Sequence, residues 1–93
     1  MTEEFVVQHA KNESRFVIHT EHGEAELTYR LVDGVITFTH TGVPKELGGK
    51  GIGGMLASTG LLYARTEGLR VVPRCPYVRR YIEKHPEHQD LVG

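Results

Sequence analysis

Two stretches of this sequence hold residues whose types and spacing bear on chemistry. The first is Gly48-Gly49-Lys50-Gly51-Ile52-Gly53-Gly54, in which five of seven residues are glycine. Glycine lets successive backbone amides turn toward one point and lets an anion approach with no Cβ in the way. A helical pattern begins at Gly51, so the same segment supplies the unpaired first amides of a helix, with a partial positive charge of about half a unit. A pyrophosphate is the natural occupant, and Lys50 adds a full charge. The plainer account, a flexible turn, has to meet a cost of about 1 kcal/mol for each glycine inside a helix relative to alanine. The second stretch surrounds Cys75, the single cysteine. It follows a strand-like run and precedes a helical one, where a helix N-terminus and Arg74 favour the thiolate. The competing reading of Cys75 is a small buried apolar residue.

Other groups join these two as candidates. His40 ends a strand-like run beside the glycine segment and is a candidate general base, since imidazole transfers protons near neutral pH. Its alternation with Ile36 and Phe38 also fits a hydrogen-bonded core histidine. Tyr77 and Tyr81 are candidate general acids, with packing as the alternative role. Arg79, Arg80 and Lys84 share a predicted helix, and Arg80 and Lys84 fall on one face. They are placed either to meet a phosphate or to form a solvated charged face.

The elements that must position these groups change period along the chain. Glu24 to Leu31 alternates polar with apolar, and Val35 to Thr41 does the same, with Asp33-Gly34 as a tight hairpin signal between them. Phe5 to Ala10 and Arg15 to Thr20 are weaker strands, joined by Lys11-Asn12-Glu13-Ser14 and closed by His22-Gly23. After Pro44 the period lengthens. Ile52, Met55, Leu56, Thr59, Leu62 and Tyr63 predict an amphipathic helix from about Gly51 to Thr66, with Gly68 as its stop. Leu69 to Val72 predicts a strand, and Pro76 to Lys84 a second helix that Pro86 ends. The expected fold is α+β, a mainly antiparallel sheet with helices covering one face.

Size and composition narrow the classes of function. Ninety-three residues, 39% hydrophobic and 25% charged, fit a single domain over 1–93. A formal net charge of −1 argues against duplex nucleic acid as the main partner. No apolar run approaches the roughly 18 residues that span a bilayer, and Met1-Thr2-Glu3-Glu4 is acidic where a signal peptide is basic. One cysteine excludes an intramolecular disulfide and fits a reducing compartment, so a soluble cytoplasmic protein is expected. The histidines lack metal-site spacing, the close pair His85 and His88 being interrupted by Pro86, so no metal is expected. Gly49, Gly51 and Gly54 satisfy GxGxxG. Yet the preceding strands read as hairpins, and residues 70–75 contain no acid to hold a ribose, which argues against a dinucleotide fold. The phosphate-loop pattern is absent.

With the residues placed, the segment from Thr41 to Gly54 resembles motif A of the GNAT acetyltransferase superfamily: Gln or Arg, two residues, Gly, one residue, then Gly or Ala. Gly51 and Gly53 match its small positions, and Gly48 stands where the family has Gln or Arg. The block Arg74-Cys75-Pro76-Tyr77 through His85-Pro86 is similar to the small, truncated members that end soon after a Cys-Pro-Tyr segment. The resemblance implies a minimal GNAT-like fold with a cleft where two strands splay apart and acetyl-CoA as co-substrate. The backbone around Thr41, Gly42 and Val43 would then pair with the pantetheine arm, and the amides of Gly49 to Gly54, those of Lys50 and Ile52 included, would hold the pyrophosphate. Arg80, Tyr81 and Lys84 would meet the 3′-phosphate end. The matching cysteine is the catalytic group proposed for that subfamily. Cys75 would either accept the acetyl group transiently or line the thioester site. The expectation is an N-acetyltransferase acting on an unidentified amine, as a monomer or weak dimer. The alternative is a coenzyme A binding module without transferase activity.

Overall fold

A computed structural model describes residues 4–93; the acidic start read at Met1, Thr2 and Glu3 lies outside them. Five strands form one sheet in the order β1-β2-β3-β4-β5. They are β1 (Gln8–Ala10), β2 (Arg15–Thr20), β3 (Gly23–Val32), β4 (Val35–Gly42) and β5 (Arg70–Pro73). The first four run antiparallel, and β5 lies parallel to β4. Between β4 and β5 the chain makes a short 3-10 turn, Lys45–Leu47, and the helix α1 (Ile52–Thr66). After β5 come α2 (Pro76–Lys84) and a 3-10 turn, Pro86–Leu91. The sheet is therefore mixed, and the predicted α+β order of four strands, helix, strand, helix holds.

Local chemistry explains the boundaries. Asp33 and Gly34 both take positive φ, 50° and 78°, which is the backbone a two-residue hairpin needs. Pro76 occupies the first turn of α2, where its missing N–H costs nothing, and Pro86 follows the helix end. The predicted strand Phe5–Ala10 shrinks to Gln8–Ala10. Phe5 and Val7 pack against the core from outside the ladder, and Val6 is exposed.

Both helices lie on one face of the sheet and close a core around Phe16, Leu27, Phe38, Leu56, Leu61 and Val78, each at most 1% exposed. The buried stripe of α1 differs from the predicted one. Ile52, Leu56, Ala57, Gly60, Leu61 and Ala64 face the sheet, whereas Leu62 is 61% exposed. Glycine and alanine at 57, 60 and 64 let the helix axis settle close to the strands, so the small residues define the contact line and the larger Leu62 is turned out. At the far end of α1, Arg65 clamps Asp90 with two hydrogen bonds of 2.9 Å and donates to the Glu87 carbonyl. That clamp fastens the C-terminal turn, whose Leu91 is buried and whose Val92 bridges Val71.

At the opposite edge His9 stacks on Phe16 at 4.1 Å, meets Tyr63 edge-on at 4.5 Å and bonds Tyr29 Oη at 2.7 Å. Burial, and then the charge of Lys11, push its imidazole below the ordinary value of 6.5. A folded value below the unfolded one means that the unfolded chain takes up the proton first. Stability should therefore be intact above 6.5 and fall as pH drops below it. Denaturant midpoints measured between pH 7 and 5 should fall for the native protein and fall less for His9→Phe. Equal declines would remove His9 from the account.

Candidate functional site

The site begins where β4 and β5 part. The two strands pair in register from Val35 and Arg70 as far as Phe38 and Pro73. Cys75 N–H then donates to the Phe38 carbonyl at 2.9 Å, and β5 ends while β4 runs on to Gly42. From 39 to 42, β4 is held by β3 along one edge and, among the described residues, has no strand along the other. That open edge offers main-chain donors and acceptors to an extended ligand, as an unpaired sheet edge does to a peptide.

A β-bulge at the same place decides which side chains face the opening. Thr28 pairs with His40 and Tyr29 with Phe38, so β4 carries one extra residue, Thr39. Alternation restarts after it. Thr41 turns to the helix side, and its Oγ1 lies 3.1 Å from Cys75 Sγ. His40 turns to the helix-free side and is exposed. The expected shared face of His40 with Ile36 and Phe38 is thus corrected, because a period of two cannot be carried through an inserted residue. His40 and Cys75 flank the opening from opposite faces of the sheet.

Cys75 is 3% exposed and caps α2, accepting the Arg79 N–H on its carbonyl at 3.0 Å. Arg74, expected beside the thiol, lies on the other face, among Thr37, Thr39 and Val72. Successive residues leaving a strand point to opposite sides, so the arginine next in sequence is not the one next in space. What accompanies the sulfur is the hydroxyl of Thr41.

The glycine segment closes the helix side of the opening. Gly51 caps α1 with φ 75°, a left-handed conformation that β-branched residues resist. Gly53 lies under the Tyr77 ring, where an added Cβ would stand 2.7 Å from Cζ. Together with Val43, Leu47, Gly48, Gly49 and Ile52 they line a cavity of about 380 Å³. Among the described residues, the amides of Gly49, Gly51, Ile52, Gly53 and Gly54 have no backbone acceptor, the first intrahelical bond at this end being Met55 N–H to Gly51 O. A group of donors at a helix start, beside a cavity, is suited to an anion.

Most of the residues singled out from sequence meet here. Thr41, Gly42 and Val43 form the end of β4, and Gly49, Gly51, Ile52 and Gly53 line the cavity. The Ile52 side chain is buried in the core, so its contribution to the site is its amide. Lys50 is exposed and outside the cavity lining, and its amide, expected among the pyrophosphate donors, instead closes the preceding turn by donating to the Leu47 carbonyl at 3.3 Å. Gly54 sits one step back, within 3.7 Å of Tyr81 if it carried a Cβ. Arg80, Tyr81 and Lys84 gather with Tyr77 around an adjoining hollow of about 80 Å³. Leu47 was not singled out. It forms the floor of the cavity from a 3-10 turn that no periodic pattern marks.

A mixed sheet split between two parallel strands, with a glycine-capped helix at the split, defines an acyltransferase-type architecture. Residues 15–91 match the GCN5-related N-acetyltransferase family, and the chain belongs to it. It is similar to the solution structure of a GCN5-like protein from Staphylococcus aureus, with 33% identity and a TM-score of 0.75. That match covers 95% of this chain and 87% of the other. No curated protein matches. Among the described residues no helix is long and apolar enough to cross a membrane, and no group of three metal-ligating side chains gathers.

Proposed function

We propose that the protein binds acetyl-CoA across the opening between β4 and β5 and passes the acetyl group to an amine. The observation that carries this reading is the set of amides without backbone acceptors at Gly49, Gly51, Ile52 and Gly53, residues that line a cavity beside the open edge of β4. The amides hold the pyrophosphate, and main-chain groups from Thr41 to Val43 align the pantetheine arm. Tyr77, Arg80, Tyr81 and Lys84 close the nucleotide end. Held in this way, the thioester lies beside Cys75 and Thr41, and the amine arrives from the helix-free face, where His40 removes its proton. Attack on the carbonyl carbon forms the C–N bond, and collapse breaks the C–S bond and expels the coenzyme A thiolate. Cys75, hydrogen-bonded to Thr41 and shielded from water, stands where it can return a proton to that thiolate or take the acetyl group first.

Calorimetric titration with acetyl-CoA, followed by an amine screen, tests the whole reading. Binding together with steady turnover supports it. Binding without turnover leaves a coenzyme A binding module, and no binding removes both. Cys75→Ser should lower kcat by about a hundredfold or more, the range of a lost acid–base partner, and leave acetyl-CoA affinity near its native value. An undiminished rate would take the thiol out of the mechanism. Intact mass after acetyl-CoA addition without acceptor distinguishes an acetylated Cys75 from direct transfer.

A further inference from the structure

The helix-free face of the sheet carries a second depression, of about 310 Å³, that the reading above leaves without a role. It is lined by Arg30, Val32, Val35, Thr37, Thr39, Val72 and Arg74, two cations and no carboxylate, in a protein of formal net charge −1. Resting on the acetyltransferase reading, we infer that this groove binds the acceptor, and that the acceptor is a small primary amine bearing an anionic group, a carboxylate or a phosphate.

The register places the parts. Arg30 pairs with Thr37 and Val72 pairs with Thr37 from the other side, so the groove runs along the outer face of β4 with β3 and β5 as its banks. Arg30 stands on one bank and Arg74 on the other, just past the last rung at Phe38 and Pro73. The groove therefore ends where the strands part, beside the bulge residue Thr39 and one residue short of His40. Both arginines are exposed, and neither side chain makes a hydrogen bond or ion pair among the described residues. This is unlike Arg15 and Arg65, which are held by Glu13, Glu24, Glu26 and Asp90. Two unpaired guanidiniums flanking a groove favour a ligand whose anion accepts from both, since a guanidinium donates through a fork that matches carboxylate or phosphate. A volume near 310 Å³ falls at the lower end of small-molecule sites and is too small for a folded partner. With its anion held between the arginines, such a molecule can extend its amine along the groove to the opening at Thr39.

The test uses the full chain with acetyl-CoA and three acceptors of similar length: 4-aminobutyrate, phosphoethanolamine and n-butylamine. At least one of the two anionic amines should exceed n-butylamine in kcat/KM by about tenfold or more, the effect of a charge-assisted hydrogen bond. Whichever is preferred identifies the anion. Arg30→Gln and Arg74→Gln should each raise KM for that acceptor, leaving its kcat, the KM of acetyl-CoA and the n-butylamine rate unchanged. Both positions are exposed, so the core is untouched. Equal kcat/KM for all three amines, or a preference that survives Arg30→Gln/Arg74→Gln, overturns the inference while n-butylamine turnover still upholds the acetyltransferase reading. A second arm needs no catalysis. Titration with succinate or inorganic phosphate should shift the amide NMR signals of Arg30, Thr37, Thr39 and Arg74 in the native protein but not in the double variant. Absence of those shifts in the native protein also overturns it. If no amine is acetylated and calorimetry finds no acetyl-CoA binding, the acetyltransferase reading is what has failed, and the acceptor site falls with it.

Discussion

Gly51→Val should weaken acetyl-CoA binding by about a hundredfold or more, while Gly51→Asn keeps most of it. Gly51 caps α1 at φ 75°, and an added Cβ there meets no atom within 4 Å. Space is therefore not the obstacle. The left-handed backbone is, and holding valine in it costs on the order of 1–3 kcal/mol. The loop escapes that strain by rotating, which swings the amides of Gly51 and Ile52 away from a common point. Hydrogen bonds to a charged group are worth about 1.5–3 kcal/mol each, so misplacing two is enough for the stated loss. Asparagine tolerates the left-handed region, so it preserves the direction of the amides while adding a side chain. Calorimetry on both variants, with circular dichroism to confirm the fold, reads the contrast directly. Valine binding as tightly as glycine would mean that the anion is held elsewhere. Thermal denaturation gives the same comparison, since a ligand that binds only the folded chain raises its melting temperature.

The contrast also indicates what a sequence can disclose about such a site. The donors at Gly49, Gly51, Ile52, Gly53 and Gly54 were legible because glycine is costly inside a helix, so a cluster of it at a helix start points to a backbone requirement, whereas the bond from the Lys50 amide to the Leu47 carbonyl was not. The hairpin at Asp33-Gly34 and the helix stop before Pro86 were legible for similar reasons. The bulge at Thr39 was not. Thr37, Thr39 and Thr41 alternate with Ile36, Phe38 and His40 as smoothly as in any regular strand, and only pairing with Thr28 and Tyr29 reveals the extra residue. That one residue moves His40 to the face opposite Cys75 and brings Thr41 to the sulfur. The stripe of α1 was misread because large apolar residues were counted and small ones were not. A sheet that the helix must approach closely inverts that weighting at Gly60 and Leu62. The groove between Arg30 and Arg74 joins residues far apart in the chain, and no local spacing announces it.

Phe38→Ala should lower stability by about 3–5 kcal/mol, the range for truncating a fully buried phenylalanine. A domain of this length holds only about 5–14 kcal/mol in total, so a substantial share of molecules would unfold near physiological temperature. The ring is fully buried, meets Tyr29 edge-on with centroids 6.5 Å apart, and reaches the backbone of α1 at Gly60. Its deletion opens a cavity between sheet and helix whose collapse is opposed by the buried packing of Ile52, Leu56 and Leu61 along the same helix. The same residue also forms the last rung with Pro73, and its carbonyl accepts the Cys75 amide. Loss of the ring therefore loosens the point from which β4 and β5 diverge, so the width of the opening and the support of the core are set by one side chain. A melting temperature lower by at least about 12 °C is expected, and Phe38→Leu should lose much less. In Phe38→Ala, saturating acetyl-CoA should recover part of the loss, because the ligand binds only chains in which the strands are correctly split. A drop of under about 4 °C would show that the core closes over the missing ring and that the split is anchored by other contacts.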